Sequence, residues 1–130
     1  MQSTLEHINV TVSDTAATAV ILAEIFNWEI RWSGSSKDNG DIIYLGTDNT
    51  YLALYSHPDT HIAGAHLAST SFKIIRQLNH IGIQVGDLDA IETKVKAAGL
   101  VPHNHDDYEP GKRFYFNLDD GLEIEVVSYQ

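Results

Sequence analysis

The sequence predicts an α+β chain made of two tandem βαβββ modules. Three observations carry that expectation. Leu5-Glu6-His7-Ile8-Asn9-Val10-Thr11-Val12-Ser13-Asp14 recurs 73 positions later as Leu78-Asn79-His80-Ile81-Gly82-Ile83-Gln84-Val85-Gly86-Asp87, with five of ten positions identical. In both copies a short apolar/polar alternation ends at an aspartate, and apolar residues then recur at helical spacing. Each helical stretch is followed by three strand-like runs broken by turn residues. A unit of this size cannot close a core alone, so a second copy is expected beside it.

The elements follow in order. Ile8, Val10 and Val12 alternate with polar residues, as in a half-buried strand. Asp14 stands at a helix N-cap position, and Thr15 to about Asn27 is rich in Ala, Ile and Leu. Strands are expected over Trp28 to Ser33, Asp41 to Gly46 and Tyr51 to Tyr55, with breaks at Gly34 to Gly40 and at Asp48-Asn49. In the second module Asp87 is the cap, Leu88, Ile91 and Val95 share a helix face, and Gly99 occupies the C′ position. A short run near Leu100 to His103 follows, then Arg113 to Leu118 and Leu122 to Tyr129, the last turn being Asp119-Asp120-Gly121. These boundaries make one domain of 1–130, with module one at about 1–56, a connector at about 57–77 and module two at about 78–130. Phe72 to Ile75 is the connector's only apolar knot.

Composition narrows the function. The chain has 130 residues, 43% of them hydrophobic, and no run approaches the roughly 18 consecutive apolar residues of a membrane span. Its start lacks the basic and apolar regions of a signal peptide, so a cytoplasmic location is expected. With no cysteine, disulfides, thiolate nucleophiles and zinc–thiolate sites are excluded. Eighteen acidic residues against eight basic ones give a net charge of −10, which disfavours nucleic acid and anionic membrane as partners. Beyond that, the acidity points only to a soluble chain.

With a strand-opening Leu-x-His-Ile in each half and Arg113-Phe114-Tyr115-Phe116…Asp120-Gly121-Leu122-Glu123-Ile124-Glu125 at the close, nearly the whole chain resembles the vicinal oxygen chelate superfamily. That group includes glyoxalase I, extradiol dioxygenases, fosfomycin-resistance enzymes, methylmalonyl-CoA epimerase and bleomycin-binding proteins. The resemblance implies a curved, barrel-like sheet of about eight strands with helices outside, and a homodimer. It also implies metal ligands at His7, His80 and Glu125. The closing turn departs from the usual pattern, with Leu118-Asp119 where Asp-Pro is common. Aligning the module ends at an offset of 72 places Ala53 opposite Glu125, so the fourth ligand position is empty of any donor.

Two imidazoles and a carboxylate form a facial triad, which suits Fe or Mn and leaves positions open for substrate; Zn, Ni or Co are also compatible. Ala53 argues against glyoxalase I and epimerase activity, for which the resemblance requires a donor there. Extradiol dioxygenases and fosfomycin-modifying enzymes are similar to each other in using His, His and Glu. The extradiol pattern places a tyrosine ten residues before the glutamate, matched by Tyr115, and a histidine upstream, for which His105 is near but off the usual spacing. Tyr115 and His105 are therefore the candidate catalytic pair, although a histidine in the loop His103 to Asp107 is commonly just solvated. The fosfomycin pattern has a threonine where this chain has Asn9, and a denser set of cations than Lys73, Arg76, Lys112 and Arg113.

Plainer readings stand beside these. His7 and His80 fit strand-start residues of a metal-free fold, as in bleomycin-binding relatives that hold their ligand in a cleft. Glu123 shares a strand face with Glu125 and is read as its neighbour or a rim residue. His57, His61 and His66 invite a second metal site, but Pro58 interrupts the helix that would align the first two, and a solvated connector explains them. Tyr51 and Tyr55 share a face with Ala53 and fit either cleft lining or sheet packing.

Overall fold

The computed structural model describes residues 4–36, 39–59, 75, 78–108 and 110–130. Two compact units divide between residues 61 and 62. Each has the βαβββ order, and together their described residues form eight strands and two helices.

The first unit runs β1 (His7–Thr11), α1 (Thr15–Phe26), β2 (Glu29–Ser35), β3 (Asp41–Gly46) and β4 (Tyr51–Ser56). Its sheet order is β1-β4-β3-β2, with β1 parallel to β4 and the other pairs antiparallel. The crossover helix makes the parallel pair accessible to the chain. Asp14 caps α1 by accepting from the Ala17 amide at 3.0 Å, a bond of about 1 kcal/mol. Asn27 ends the helix in the left-handed region at φ 57. Thr15, Thr18, Ala19, Leu22 and Ile25 recur at helical spacing and are buried. They lie on the side of the sheet where Leu45 and Leu54 are fully enclosed.

The second unit repeats the plan: β5 (Ile81–Gln84), α2 (Leu88–Ala97), β6 (His103–Tyr108), β7 (Gly111–Asn117) and β8 (Glu123–Ser128). Its order is β5-β8-β7-β6, again with one parallel pair, β5 and β8. Asp87 accepts from the Ala90 amide at 3.0 Å. Asp89 in the first turn of α2 and Lys94 and Lys96 in the last complement its dipole. Gly99 follows at φ 82, as its C′ position requires. Phe114, Phe116, Ile124, Val126 and Val95 are fully enclosed, each contributing about 1.5–3 kcal/mol by burial.

Most strand ends shift by one or two residues, and two differences go further. The strand placed near Leu100 to His103 is instead His103–Tyr108, so the segment read as a loop is an edge strand. It has one hydrogen-bonded neighbour and exposed polar side chains, and so lacks the apolar alternation that marks a strand in sequence. β2 likewise continues through Gly34, expected as a break, to Ser35. The connector's histidines His61 and His66, and Phe72 to Lys73-Ile74, lie outside the described residues.

Candidate functional site

In the second unit β7 and β8 turn their apolar residues to the helix and their polar ones to the opposite face. Register sets Tyr115 beside Glu125, Asn117 beside Glu123, and Gly82 on the other side of Glu125. His80, just before β5, joins this row. Its Nε2 stands 3.2 Å from Glu125 Oε2, and its Nδ1 is 4.0 Å from Glu123 Oε1. Glu125 Oε1 accepts from Arg113 Nη1 at 2.9 Å, and both side chains are only 12% exposed. Glu125 is thus held between a guanidinium and an imidazole, one carboxylate oxygen to each. Tyr115 meets His80 edge-on at 5.6 Å and lies nearly parallel to His103 at 6.4 Å. Asn117 Nδ2 donates to the Gly121 carbonyl, so its Oδ1 is free to accept from His103 Nε2 at 2.8 Å. That fixes the proton of a neutral His103 on Nε2.

The first unit presents rings where the second presents charges. The Glu6 carbonyl accepts from Tyr51 N at 3.1 Å and from Thr50 Oγ1 at 3.0 Å, which ties the start of β1 to β4. His7 then pairs with Tyr51 in register, and the two rings stack at 5.0 Å. Tyr44 lies 4.6 Å from Tyr51, and Trp32 5.2 Å from Tyr44. The Glu6 carboxylate accepts from His7 Nδ1 at 2.9 Å and from the Tyr51 hydroxyl at 3.2 Å. Those two bonds, His7 first, hold Glu6 below the ordinary carboxylate range. Tyr51 is moved the other way, raised by burial and then by its bond to Glu6. Ala53 pairs with Asn9 as Glu125 pairs with Gly82, and it is 1% exposed.

The candidate residues thus distribute unevenly. His80, Glu125 and Tyr115 come together on one face of the second unit, and His7 belongs to the first. His105 lies elsewhere: it stacks on Phe114 at 5.7 Å and bonds Glu92 of α2 at 3.0 Å, on the helix side of the sheet and away from Glu125. The extra residue of a β-bulge between His103 and Asp106 reverses the expected facing. His103 is instead the histidine beside Tyr115. Its place was hidden in the sequence, since residues on one face of a strand pair can be read only once the register is known. Arg113 and Asn117 were similarly hidden by the need for register. His57 accepts at Nδ1 from the Asp59 amide, 3.1 Å away.

A profile of the Glyoxalase/Bleomycin resistance protein/Dioxygenase superfamily matches residues 4–126. The chain belongs to this superfamily. Its fold is shared by a glyoxylase/bleomycin resistance protein/dioxygenase domain from Frankia sp. EAN1pec, at TM-score 0.80, 17% identity and full coverage of both chains. It is shared also by a mutant of the fosfomycin resistance protein FosX from Listeria monocytogenes, complexed with Mn(II) and 1S,2S-dihydroxypropylphosphonic acid. That match has TM-score 0.71 and 21% identity, covering 98% of this chain and 93% of the other. FosX from Mesorhizobium loti gives TM-score 0.69 and 18% identity, covering 98% and 92%. No curated protein matches the chain.

Metal-dependent members of the superfamily make a ligand test worthwhile. Among the described residues no three His, Asp or Glu side chains stand together as a metal-holding group. Two do fit as a pair. Neighbouring ligands at right angles on one ion, each at about 2.1 Å, lie about 3 Å from one another. His80 Nε2 and Glu125 Oε2 are 3.2 Å apart. The other imidazole nitrogen, His80 Nδ1, is buried without a hydrogen bond and has Glu123 as its nearest carboxylate. At 4.0 Å that carboxylate neighbours the imidazole without a hydrogen bond to it.

Proposed function

We propose that this superfamily member is a metal-dependent enzyme acting on a small oxygenated molecule, with His80, Glu125 and His7 as ligands. The observation that carries this reading is the His80–Glu125 pair, spaced as neighbouring ligands, with Arg113 hydrogen-bonded to the second oxygen of Glu125. The bound ion, Fe or Mn by the donor set, would supply Lewis acidity toward a chelating substrate. The chain's own residues do the positioning. Arg113 fixes Glu125 Oε1 so that Oε2 is the oxygen presented to His80. Tyr115 packs against His80 and carries the hydroxyl that best serves to hold a substrate oxygen, while His103 braces the Tyr115 ring from its other side. Ring-cleaving dioxygenase-like chemistry is the reaction within this class that the three-donor set favours, with Ala53 disfavouring glyoxalase or epimerase chemistry. His103 takes over from His105 as the candidate proton carrier, because it alone of the two shares the face of Tyr115. The reading includes one domain of two modules and a homodimer.

A second reading has its own support. Both oxygens of Glu125 already have protein partners, as in a site that needs no ion. A metal-free protein that sequesters a small molecule is the alternative.

Elemental analysis of anaerobically purified protein separates the two. The enzyme reading expects near-stoichiometric Fe or Mn, lost in Glu125→Ala and in His7→Ala, and oxygen uptake with catechols by the loaded protein. Wild-type protein that stays metal-free after Fe(II) and Mn(II) are offered overturns it in favour of sequestration.

A further inference from the structure

The aromatic face of the first unit has the features of a binding site in its own right. Its rings are contiguous from His7 through Tyr51 and Tyr44 to Trp32, and the series ends at an indole that is 49% exposed. The indole is seated rather than loose. Its six-membered edge lies over Gly34, where a Cβ would come within 2.8 Å of two of its carbons. Only glycine leaves the strand low enough for that placement.

A cation stands at the same face. The β-bulge between Ile30 and Trp32 redirects Arg31, whose guanidinium carbon lies 4.6 Å over the Tyr51 ring. Arg31 is exposed and forms no ion pair among the described residues. Glu6, the acid whose charge it feels, is engaged by His7 and Tyr51. The first unit carries eight acidic residues up to position 61 and only one other cation, Lys37, so an accessible arginine there is an exception to its surroundings.

We propose that this face binds a planar aromatic carboxylate, its ring on Trp32 and Tyr44 and its carboxylate on Arg31. Tyr44 lies between Trp32 and Tyr51 and is tilted 50° to the first and 31° to the second, so a ring packed on the indole and against the edge of Tyr44 shares a face with the guanidinium over Tyr51. Stacking supplies affinity with little side-chain ordering, because the rings are already packed on one another. The guanidinium supplies selectivity, since its fork matches a carboxylate with two parallel hydrogen bonds. An anion without a ring would engage only Arg31, and a ring without a charge only the indole. The inference goes beyond the metal reading and stands whether or not an ion is bound.

Calorimetric titration of the chelator-treated full chain with 2-naphthoate, and with the neutral 2-naphthamide, tests it. Naphthoate should bind more tightly than the amide. Arg31→Gln should weaken naphthoate by about tenfold and leave the amide within about twofold. Trp32→Leu should weaken both probes. Equal binding of the two probes to wild-type protein, an Arg31→Gln variant that binds naphthoate like the wild type, or no heat up to about 5 mM would each overturn the proposal. Those results leave the metal content untouched, so failure here and failure of the enzyme reading are separately visible.

Discussion

The two units have the same backbone plan and opposite chemistry on one face. Each has an aspartate-capped helix, a first strand parallel to the last, and an edge strand with a bulge near its middle. On that plan three paired positions differ. Tyr51 stands where the second unit has Glu123, Ala53 where it has Glu125, and Asn9 where it has Gly82. The first unit's face is therefore a series of rings closed by Arg31, and the second unit's is an ion network centred on Glu125. A repeated scaffold fixes where side chains stand and leaves their chemistry to a few substitutions. Function belongs to the face, and the fold only presents it.

The comparison is most easily broken at Ala53. Installing the missing carboxylate as Ala53→Glu puts a charge at an enclosed position that has a tyrosine, Tyr44, as its cross-strand partner. A loss of about 3–5 kcal/mol in urea unfolding is expected. A change below about 1 kcal/mol would mean that the two faces are more interchangeable than their burial indicates.

The second test removes charge from the other face. Glu125→Gln keeps the shape and removes the carboxylate charge that faces Arg113 Nη1, at an expected cost of about 2–3 kcal/mol. Combined with Arg113→Met in a double-mutant cycle, a coupling above about 1 kcal/mol is expected. Additive effects would show that the two side chains are neighbours without being partners.

The smallest effect concerns Tyr51. Its hydroxyl should titrate above the ordinary value of 10.0, because burial and then the bond to Glu6 favour the protonated phenol. The sign follows from linkage. The stabilisation is complete below the unfolded phenol pKa and is lost as pH rises through the higher folded value. The 295 nm titration of wild-type protein minus that of Tyr51→Phe isolates the group. Glu6→Gln should move the midpoint part of the way down, since burial remains. A Tyr51 midpoint at or below 10.0 would contradict the bonded geometry.

The fold was largely legible because the repeat carried it. The expected strand Asp41 to Gly46, the caps Asp14 and Asp87, and the turn at Gly99 stand where the sequence places them. β6 escaped because an exposed edge strand of His, Asn and Asp has no apolar period to detect. The resemblance assigns His80 and Glu125 to one set of ligands, their side chains stand 3.2 Å apart, and register explains why Ala53 is the counterpart of Glu125. The engagement of Glu125 by Arg113 was not, because residues twelve apart on antiparallel strands become neighbours only when the turn and register are fixed. His105 misled for a related reason. One inserted residue at a bulge turned it to the helix side, and no property of its own composition announces that.

The parallel pairing of β1 with β4 and of β5 with β8 has a consequence for assembly. In each unit the last strand made is the one that goes between two earlier ones, so neither sheet closes until its final segment exists. β1 and β5 come from two segments identical at five of ten positions, and each docks in parallel on the last strand of its unit. In vectorial synthesis β4 is made before β5, so β1 meets its own partner first. A circular permutant that begins at β5 would reverse that schedule, offering β8 to its own first strand before β1 is made. Refolding the whole chain from denaturant removes the schedule altogether and opens the exchanged pairing as a kinetic trap.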